Sequence, residues 1–486
     1  MKRSIVIIIL LFVFPGVWQS CIDDDSVGFV RELSMVNIES KDSVYYTNFG
    51  EEFVIEPTVS QTREGGEIKY EWGYTGVRSN GGLKDSLRLI STEPVLHHAF
   101  RELGHFRIRL RATNEDGSSF AYYDVYVRTA FEQGLLVLSK DENNLGRTSF
   151  LRVKEPGEIV DGTEETFILH ALEGVNPEIK LNDPQDITWG TYMMILTEGG
   201  KVIYRYDKMS FDYLNSLPID GEIPGLRLKK FCATNPPAGG GVSLGWGMNG
   251  DTWVIDYNMG IVTPDGSFSP GENFDKLYFH ESGNNVLFVN FEKSYINHAS
   301  GYMWPSSRFS SGDHFKEKNI VNLVGDDADQ LSVVTTDLLD TQLVTVTSYT
   351  TMNGYGGFPW APQFTGAFMN PKDTTYRANG PLTLTRETEM LTNKAYRVTF
   401  YTRGNELYQW IYSGLKLPDT PLLTLDGEIT CMTLSPDNNH LYLGIWNPSA
   451  REELKGSIYI MDMNTSKIVK EYRGVADKPM KIMYKN

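Results

Sequence analysis

Ile429-Thr430-Cys431-Met432-Thr433-Leu434-Ser435-Pro436-Asp437 opens a run of four short apolar segments near the end of the chain. The other three are Leu441-Tyr442-Leu443, Ile458-Tyr459-Ile460 and Lys467-Ile468-Val469. Turn-forming residues separate the segments, and each segment is too short for a stable helix. The pattern predicts four consecutive strands that pair into one small sheet.

Similar strands recur further upstream at a fixed spacing. A glycine stands before an alternating strand at Gly200, Gly250, Gly404 and Gly456, with separations of 50, 154 and 52 residues. These separations correspond to one, three and one periods of about 50 residues, which is typical of a β-propeller with one blade per period. The 357 residues after Thr129 hold about seven periods. The sequence therefore predicts a β-propeller-like domain of about seven blades over residues 130–486.

The C-terminal unit resembles a four-stranded blade of the WD40-like or quinoprotein-like superfamily. That superfamily is functionally diverse, so the resemblance implies a fold and no particular activity. The period is hard to follow between Glu292 and Thr341. Six or eight blades, or a sandwich with long insertions, therefore stay open at this point.

An earlier part of the chain, residues 30–128, has strands with a period of two. Large apolar residues alternate with polar ones in Ile68-Lys69-Tyr70-Glu71-Trp72, and again from Phe106 to Ala112. Asn114 to Gly117 form a hairpin turn signal, and Tyr122 to Val127 follow as the partner strand. The pattern predicts a small antiparallel β-sandwich, so the whole chain is expected to be all-β.

This segment resembles the PKD-like domain, an immunoglobulin-like (Ig-like) sandwich of exported bacterial proteins. The match runs through Tyr70-Glu71-Trp72-Gly73-Tyr74 and through residues 98–117, within a segment that makes up about a fifth of the chain. The resemblance implies a spacer or protein-contact module. A carbohydrate-binding role for this domain is the alternative.

The first 25 residues indicate where the protein works. Lys2 and Arg3 precede an apolar run from Ile5 to Phe14, and Cys21 follows. The run is shorter than the roughly 20 residues that a membrane-spanning helix needs, so residues 1–20 are predicted to be a signal peptide. Residues 21–29 then form an acidic linker.

The leader resembles that of bacterial lipoproteins, in which cleavage occurs before a cysteine that receives lipid. By this resemblance Cys21 is the lipidated residue. Asp23, Asp24 and Asp25 resemble the export signal of surface-exposed lipoproteins in Bacteroides-like organisms, with a merely solvated linker as the alternative. The resemblance implies an outer-membrane protein that is anchored in lipid through Cys21 and faces the extracellular medium.

Composition excludes some partners and leaves others open. Without the leader the chain has 43 basic and 62 acidic residues, a formal charge of −19, which makes nucleic acid and anionic lipid poor partners. Only Cys232 and Cys431 remain after Cys21, so no disulfide framework is expected, and their pairing stays undecided.

Motifs for catalysis or cofactor binding are weak. Gly241-Val242-Ser243-Leu244-Gly245 has the spacing of a nucleophile elbow, but no helix follows it, which favours a glycine-rich loop. Asp326, Asp327 and Asp329 lack the spacing of a calcium loop. We therefore expect no catalytic residue, no metal site and no cofactor.

Two aromatic loops are the candidate binding sites. One contains Tyr355, Phe358, Trp360 and Phe364, followed by Phe368, among Gly and Pro residues; the smaller one contains Tyr302 and Trp304. Gly and Pro keep such rings out of regular strands, so the rings either pack inward or stand outward as flat platforms. Structural packing, ligand contact and docking onto a protein partner all stay open.

Taken together, the leader and the two β domains resemble accessory lipoproteins of the outer-membrane nutrient importers of Bacteroides-like bacteria. Those importers pair a SusC-like barrel with a SusD-like lipoprotein lid. The resemblance implies a non-catalytic binding subunit that captures an oligosaccharide or a peptide. A purely structural subunit, and a surface glycoside hydrolase or lyase on a propeller scaffold, are the alternatives.

Overall fold

The structure of this chain is a computed structural model. It describes residues 32–485 apart from 64, 79–80, 85, 154–164, 191, 222, 234–241, 258, 265–272, 280–284, 301–307, 326–329, 355–362 and 413–415. Within the described residues the secondary structure is almost entirely β, with one short α-helix at Ala171–Val175 and one 3₁₀ turn at Gly312–Phe315. No helix in this part of the chain is long and apolar enough to cross a membrane.

The chain divides into two compact units, of which the first ends at Thr129 and the second spans Ala130–Asn486. The strands of unit 1 are β1 (Val36–Glu39), β2 (Val44–Asn48), β3 (Glu52–Ile55), β4 (Thr58–Gln61), β5 (Lys69–Gly76), β6 (Arg88–Ser91), β7 (Leu96–Ala99), β8 (Gly104–Thr113) and β9 (Ser118–Arg128).

Unit 1 is built around a five-stranded sheet in the order β2-β9-β8-β5-β6, with two further pairs, β1-β4 and β3-β7. Strand β2 runs parallel to β9, and the other pairs are antiparallel. The alternation predicted from the sequence is present: Ile108 and Leu110 are fully buried while Arg107 and Arg109 are partly exposed. Trp72 is also fully buried, and its indole N–H donates to the carbonyl of Glu93 at 2.8 Å.

The described residues of unit 2 form seven four-stranded sheets, which we number 1 to 7. Sheet 1 contains β10 (Gly134–Lys140), β11 (Gly146–Arg152), β12 (Phe167–Leu169) and β37 (Lys478–Lys485). Sheet 2 contains β13 (Asp186–Trp189), β14 (Met193–Thr197), β15 (Val202–Tyr206) and β16 (Tyr213–Pro218). Sheet 3 contains β17 (Leu228–Ala233), β18 (Val242–Gly247), β19 (Thr252–Asp256) and β20 (Ile261–Pro264).

The remaining sheets follow the same plan. Sheet 4 contains β21 (Lys276–Phe279), β22 (Asn285–Asn290), β23 (Tyr295–Ser300) and β24 (Arg308–Ser310). Sheet 5 contains β25 (Lys318–Gly325), β26 (Gln330–Asp337), β27 (Leu343–Gly354) and β28 (Gln363–Arg377). Sheet 6 contains β29 (Met390–Asn393), β30 (Val398–Arg403), β31 (Glu406–Trp410) and β32 (Leu423–Thr424). Sheet 7 contains β33 (Glu428–Leu434), β34 (His440–Trp446), β35 (Gly456–Asp462) and β36 (Lys467–Ala476).

Buried apolar clusters join consecutive sheets into a ring. One such cluster lies between each sheet and the next, for example Leu138 of sheet 1 with Ile187 of sheet 2. The seventh cluster joins Ile458 of sheet 7 to Ile482 of sheet 1. The last strand of the chain, β37, pairs antiparallel with β10, so sheet 1 is made from both ends of the unit. The unit is therefore propeller-like, as the sequence predicts, and is not a sandwich with insertions.

The glycines that revealed the period lie at equivalent places. Gly200, Gly250 and Gly404 precede, and Gly456 begins, the third strand of sheets 2, 3, 6 and 7. The carbonyl oxygen of Gly200 accepts the N–H of Leu228 at 2.9 Å, and Leu228 is the first residue of the next sheet. Gly250 and Gly404 bond in the same way to Phe274 and Ile429. The repeated turn thus links each of these sheets to its neighbour.

One local prediction was wrong. Val242 to Gly247 form strand β18, which pairs with β17 on one side and β19 on the other, where the sequence favoured a glycine-rich loop. The alternation of apolar residues with glycine fits a central strand because Gly245 lies close to Leu228 and Ile255, where a larger side chain would clash.

Candidate functional site

The candidate site lies at the axis of unit 2, where one edge strand from each sheet comes together. A cavity of about 320 Å³ is lined mainly by residues of β13, β17, β29, β33 and β37. A second cavity, of about 700 Å³, is lined mainly by residues of β17, β21 and the segment before β29. Lys230 and Glu389 line both cavities, so we treat the two as one axial site.

A short stretch of chain between sheets 5 and 6, Thr385–Glu389, lies against the inner strands of sheets 3, 4 and 5. We call it the axial segment. The Asn322 side-chain amide donates to the carbonyl oxygens of Thr385 at 2.7 Å and Thr388 at 3.0 Å. The hydroxyl of Tyr278 donates to the oxygen of the same amide and so fixes its orientation. Residues from two inner strands therefore hold the axial segment through its backbone.

Arg386 attaches the axial segment at another point. Its Nε donates to the Ile320 carbonyl oxygen at 3.2 Å, and its guanidinium lies 4.7 Å from the centroid of the Phe291 ring. Contacts of this kind between a cation and an aromatic face are attractive. They keep the Arg386 side chain against the wall of the larger cavity.

Lys276 is the most enclosed cationic group of the site. Its residue is 7% exposed, and its Nζ donates to the carbonyl oxygens of Arg386 at 2.8 Å and Thr388 at 2.6 Å. Burial lowers the pKa of Lys276 to about 8, because the low-dielectric surroundings disfavour the ammonium form more than the nearby carboxylates favour it. Lys276 therefore serves mainly to hold the axial segment.

Glu389 and Lys230 form an ion pair across the axis. Lys230 belongs to sheet 3 and Glu389 precedes sheet 6, and Nζ lies 2.7 Å from Oε1. The charge of Glu389 raises the pKa of Lys230, although burial alone would lower it. The charges of Lys230, Lys276 and Lys481 lower the pKa of Glu389, although burial alone would raise it. The Glu389 side chain is nevertheless 69% exposed, because it faces the water of the cavities. This pair is deep in the ring and still accessible to a ligand.

A second ion pair lines the smaller cavity. Lys481 of β37 places its Nζ 2.6 Å from Asp186 Oδ1 at the start of β13. The Asp186 carboxylate is fixed further by the backbone N–H groups of Ile187 at 2.9 Å and Phe231 at 3.1 Å. Asp186 is buried, whereas the Lys481 side chain is 39% exposed. The ammonium is the accessible half of this pair.

The rest of the smaller cavity is formed by apolar and sulfur-containing side chains together with the polar residues Gln185, Thr188, Thr402 and Thr430. Its wall includes Leu138, Met390, Leu391, Cys431, Met432 and Met480. Cys431 carries a free thiol, and burial raises its pKa to about 12. The thiol is therefore neutral at physiological pH and is not a nucleophile.

The charged groups of the site are paired with one another or with the backbone. Asp186 and Glu389 each accept from a lysine, and Lys276 donates to two carbonyl oxygens. A general acid or base needs a proton that it can exchange with a substrate, and these groups are engaged with one another. Among the described residues, no group of three His, Cys, Asp or Glu side chains is placed to hold a metal ion.

Most of the site residues predicted from the sequence lie outside the described part of the chain. Residues outside the described part of the chain are Cys21, Asp23, Asp24, Asp25, Tyr302, Trp304, Asp326, Asp327, Asp329, Tyr355, Phe358 and Trp360. Phe364 is described through its backbone, which pairs with Asn353 between β27 and β28. The Phe368 ring lies edge-on to Tyr349 at 5.5 Å between centroids, so this last ring of the stretch packs partly inward.

Sequence reasoning missed the axial residues because no local motif contains them. Asp186, Lys230 and Lys276 are 44 and 46 residues apart, close to the blade period, and each lies near the start of the first strand of its sheet. A charged residue that recurs at the blade spacing in an otherwise apolar strand is the signal that could have found them. Glu389 and Lys481 do not follow this spacing.

The comparisons with known proteins concern the fold. No family model matches the chain, and no curated protein matches it. Similar solved structures include a quinonprotein alcohol dehydrogenase-like protein from Bacteroides thetaiotaomicron, with 13% identity and a TM-score of 0.46 over 94% of this chain and 100% of that chain. A DUF4784 family protein from Bacteroides caccae has 9% identity and a TM-score of 0.28 over 94% and 100% of the two chains. The Dos1 propeller has 12% identity and a TM-score of 0.36 over 70% and 86%.

Proposed function

We propose that this chain is a non-catalytic binding subunit of a SusC/SusD-like nutrient importer at the outer-membrane surface. It is anchored in lipid through Cys21 and takes a glycan or peptide ligand at the axial site of unit 2. The observation that supports binding is the pair of Lys230 and Glu389, whose side chains are 36% and 69% exposed between two cavities. Cavities of about 300–1,000 Å³ with a few convergent polar groups are the usual form of a ligand site.

In this proposal the first unit is a PKD-like, Ig-like spacer between the lipid anchor and the binding unit. Its five-stranded sheet with a buried Trp72 supports this assignment. The acidic residues Asp23, Asp24 and Asp25 after Cys21 serve as the export signal. Unit 1 has an open cavity of about 510 Å³ beside Gln61 and Asn114, but we assign ligand affinity to the axial site of unit 2, where two ion pairs face the cavities.

The first test measures binding by the purified protein. Isothermal titration calorimetry against a panel of oligosaccharides and short peptides is expected to detect at least one ligand. Glu389→Gln is expected to lower the affinity for that ligand at least tenfold. Asp340→Asn is the matched control, because Asp340 forms an exposed ion pair with Arg377 away from the axial site.

Each alternative function has its own outcome in this test. Release of product from any oligosaccharide would replace the binding proposal with a hydrolase or lyase. A protein that binds no member of the panel but co-purifies with the barrel and the lid would be a structural subunit.

The second test addresses location and partners. The wild-type protein is expected to fractionate with the outer membrane and to be accessible to protease on intact cells, whereas Cys21→Ser is expected to be released. Affinity purification in mild detergent is expected to recover a SusC-like barrel and a SusD-like lipoprotein. Recovery of the protein alone would contradict the importer assignment and leave the binding assignment untouched.

A further inference from the structure

The charges of the smaller axial cavity form a balanced set. Two ammonium groups, Lys230 and Lys481, and two carboxylates, Asp186 and Glu389, face it from sheets 1, 2 and 3 and from the axial segment. Lys230 is paired with Glu389 and also feels the charge of Asp186. Lys481 is paired with Asp186 and also acts on the charge of Glu389. The four charges therefore sum to zero and alternate in sign.

A balanced set of charges selects for the charge of its ligand. A purely anionic or cationic ligand would leave one unpaired charge in a partly enclosed site, and an unpaired charge is costly there. A neutral ligand would displace water from four charged groups and would offer them no opposite charge in its place. A ligand that carries one ammonium and one carboxylate can exchange with both ion pairs and leave every charge paired.

The uncharged wall of the cavity points in the same direction. Sugars are bound mainly on exposed aromatic faces, and among the described residues Phe231 is the only aromatic residue in the wall of the smaller cavity and is 2% exposed. Three methionines, Met390, Met432 and Met480, line the cavity instead. Methionine side chains are flexible and polarisable, so such a wall adapts to apolar side chains of different shape.

The size and access of the cavity limit the ligand further. A volume of about 320 Å³ is at the small end of the usual range for ligand sites. The exposed carboxylate of Glu389 and the exposed ammonium of Lys481 are the groups that a ligand can reach first. Taken without the larger cavity that adjoins it at Lys230 and Glu389, the smaller cavity suits a free amino acid or a peptide of about two residues.

We propose that the axial cavity binds a short zwitterionic peptide, with the ligand carboxylate near Lys230 and Lys481 and the ligand ammonium near Glu389 and Asp186. The apolar side chains of the peptide lie against the methionine wall. This inference rests on the proposed binding function and narrows its ligand from a glycan or a peptide to a peptide with both ends free.

The test compares three probes on the full-length protein by isothermal titration calorimetry at pH 7. The probes are the dipeptide Ala-Leu, its N-acetylated and C-amidated form, and the neutral trisaccharide maltotriose. Ala-Leu is expected to bind, and the capped form is expected to bind at least tenfold more weakly. Raising the salt concentration is expected to lower the affinity for Ala-Leu and to leave the affinity for the capped form unchanged.

Variants then locate the site. Glu389→Gln and Lys481→Met are each expected to lower the affinity for Ala-Leu at least tenfold, whereas Asp340→Asn is expected to leave that affinity unchanged. Thermal unfolding of each variant shows whether it is folded. Because Glu389 lies in the axial segment and Lys481 in sheet 1, a folding defect in one variant leaves the other as the test.

The outcomes separate this inference from the proposed function. Equal affinity for Ala-Leu and its capped form, or binding of maltotriose alone, would overturn the zwitterion inference while a binding function stands. If none of the three probes binds and the wider panel also fails, both proposals fall.

Discussion

Lys276 allows the electrostatics of the axial site to be tested at the scale of one residue. Burial lowers its pKa to about 8, from 10.5 in an unfolded chain. Between these two values the unfolded chain still holds a proton that the folded protein has lost, so the free energy of unfolding rises with pH across this window. Below pH 8 both states are protonated, and the cost of burying the ammonium is fully present.

We therefore expect the free energy of unfolding of the wild type, relative to Lys276→Met, to increase as the pH is raised from 8 to 10.5. Urea unfolding at several pH values measures this difference. Burial also lowers the pKa of Lys485 to about 8. Lys485 is present in both proteins, so its contribution cancels in the difference. Parallel pH profiles for the two proteins would contradict the buried position of the Lys276 ammonium.

Cys431 gives a chemical test of burial at the same scale. Because its pKa is raised to about 12, the thiolate fraction at pH 8 is small in the folded protein. An exposed thiol has a pKa of about 8.5, and a more basic thiolate is a better nucleophile, so alkylation of native Cys431 is expected to be slower than in the unfolded chain by a factor on the order of 10². Mass spectrometry of the peptide that contains Cys431, after timed iodoacetamide treatment, measures both rates. Equal rates would mean that the thiol faces solvent.

At the scale of the element, the repeated glycine turn predicts a contrast between two glycines. Gly200 has φ +90°, and a Cβ there would lie 2.1 Å from the carbonyl oxygen of Leu228 in the next sheet. Gly404 has φ +60°, and a Cβ there would meet nothing within 4 Å. Gly200→Ala is expected to destabilise the protein by about 1–3 kcal/mol more than Gly404→Ala, because only the first adds a clash to the strained backbone. Chemical denaturation of the two variants measures the difference, and equal losses would contradict the close approach between sheets.

The closing strand β37 can be tested through its buried face. Ile482 is 3% exposed and packs in the cluster that joins sheets 7 and 1. Ile482→Ala is expected to reduce the free energy of unfolding by about 2–5 kcal/mol, the usual cost of a large-to-small change in a core. Val469→Ala on β36 is the control: Val469 is 57% exposed, so a loss within about 0.5 kcal/mol is expected. Similar losses in both variants would mean that β37 does not hold the ring closed.

The sequence predicts elements well where the pattern is local. The alternation around Trp72, the turn at Asn114 and the glycine period all describe neighbours in the chain, and each corresponds to a strand or a turn of the structure. Gly245 was misjudged because glycine in a central strand and glycine in a loop have the same local pattern. The axial site was missed because Asp186 and Lys481 are 295 residues apart, and only closure of the ring brings them together.

At the scale of the whole molecule, the chain separates into two units. Unit 2 contains the closed ring of sheets and the axial residues, and unit 1 contains none of these axial residues. Every described residue that lines the two axial cavities belongs to unit 2, and both strands of the closing pair, β10 and β37, follow Thr129. The location inferred from Cys21 and the acidic linker is a separate matter and stays a prediction. Ligand binding and membrane attachment are thus assigned to different parts of the chain.

This separation predicts that unit 2 alone is sufficient for binding. A protein of residues 130–486 retains all seven sheets and the seven clusters between them, so it is expected to unfold cooperatively. Its affinity for Ala-Leu is expected to equal that of the full chain within about twofold, because no contact to the ligand is removed. Calorimetric titration of the two proteins makes the comparison, and Glu389→Gln in the shorter protein is the control for specific binding. A folded unit 2 that has lost affinity would place part of the ligand site in the first 129 residues and overturn the axial assignment.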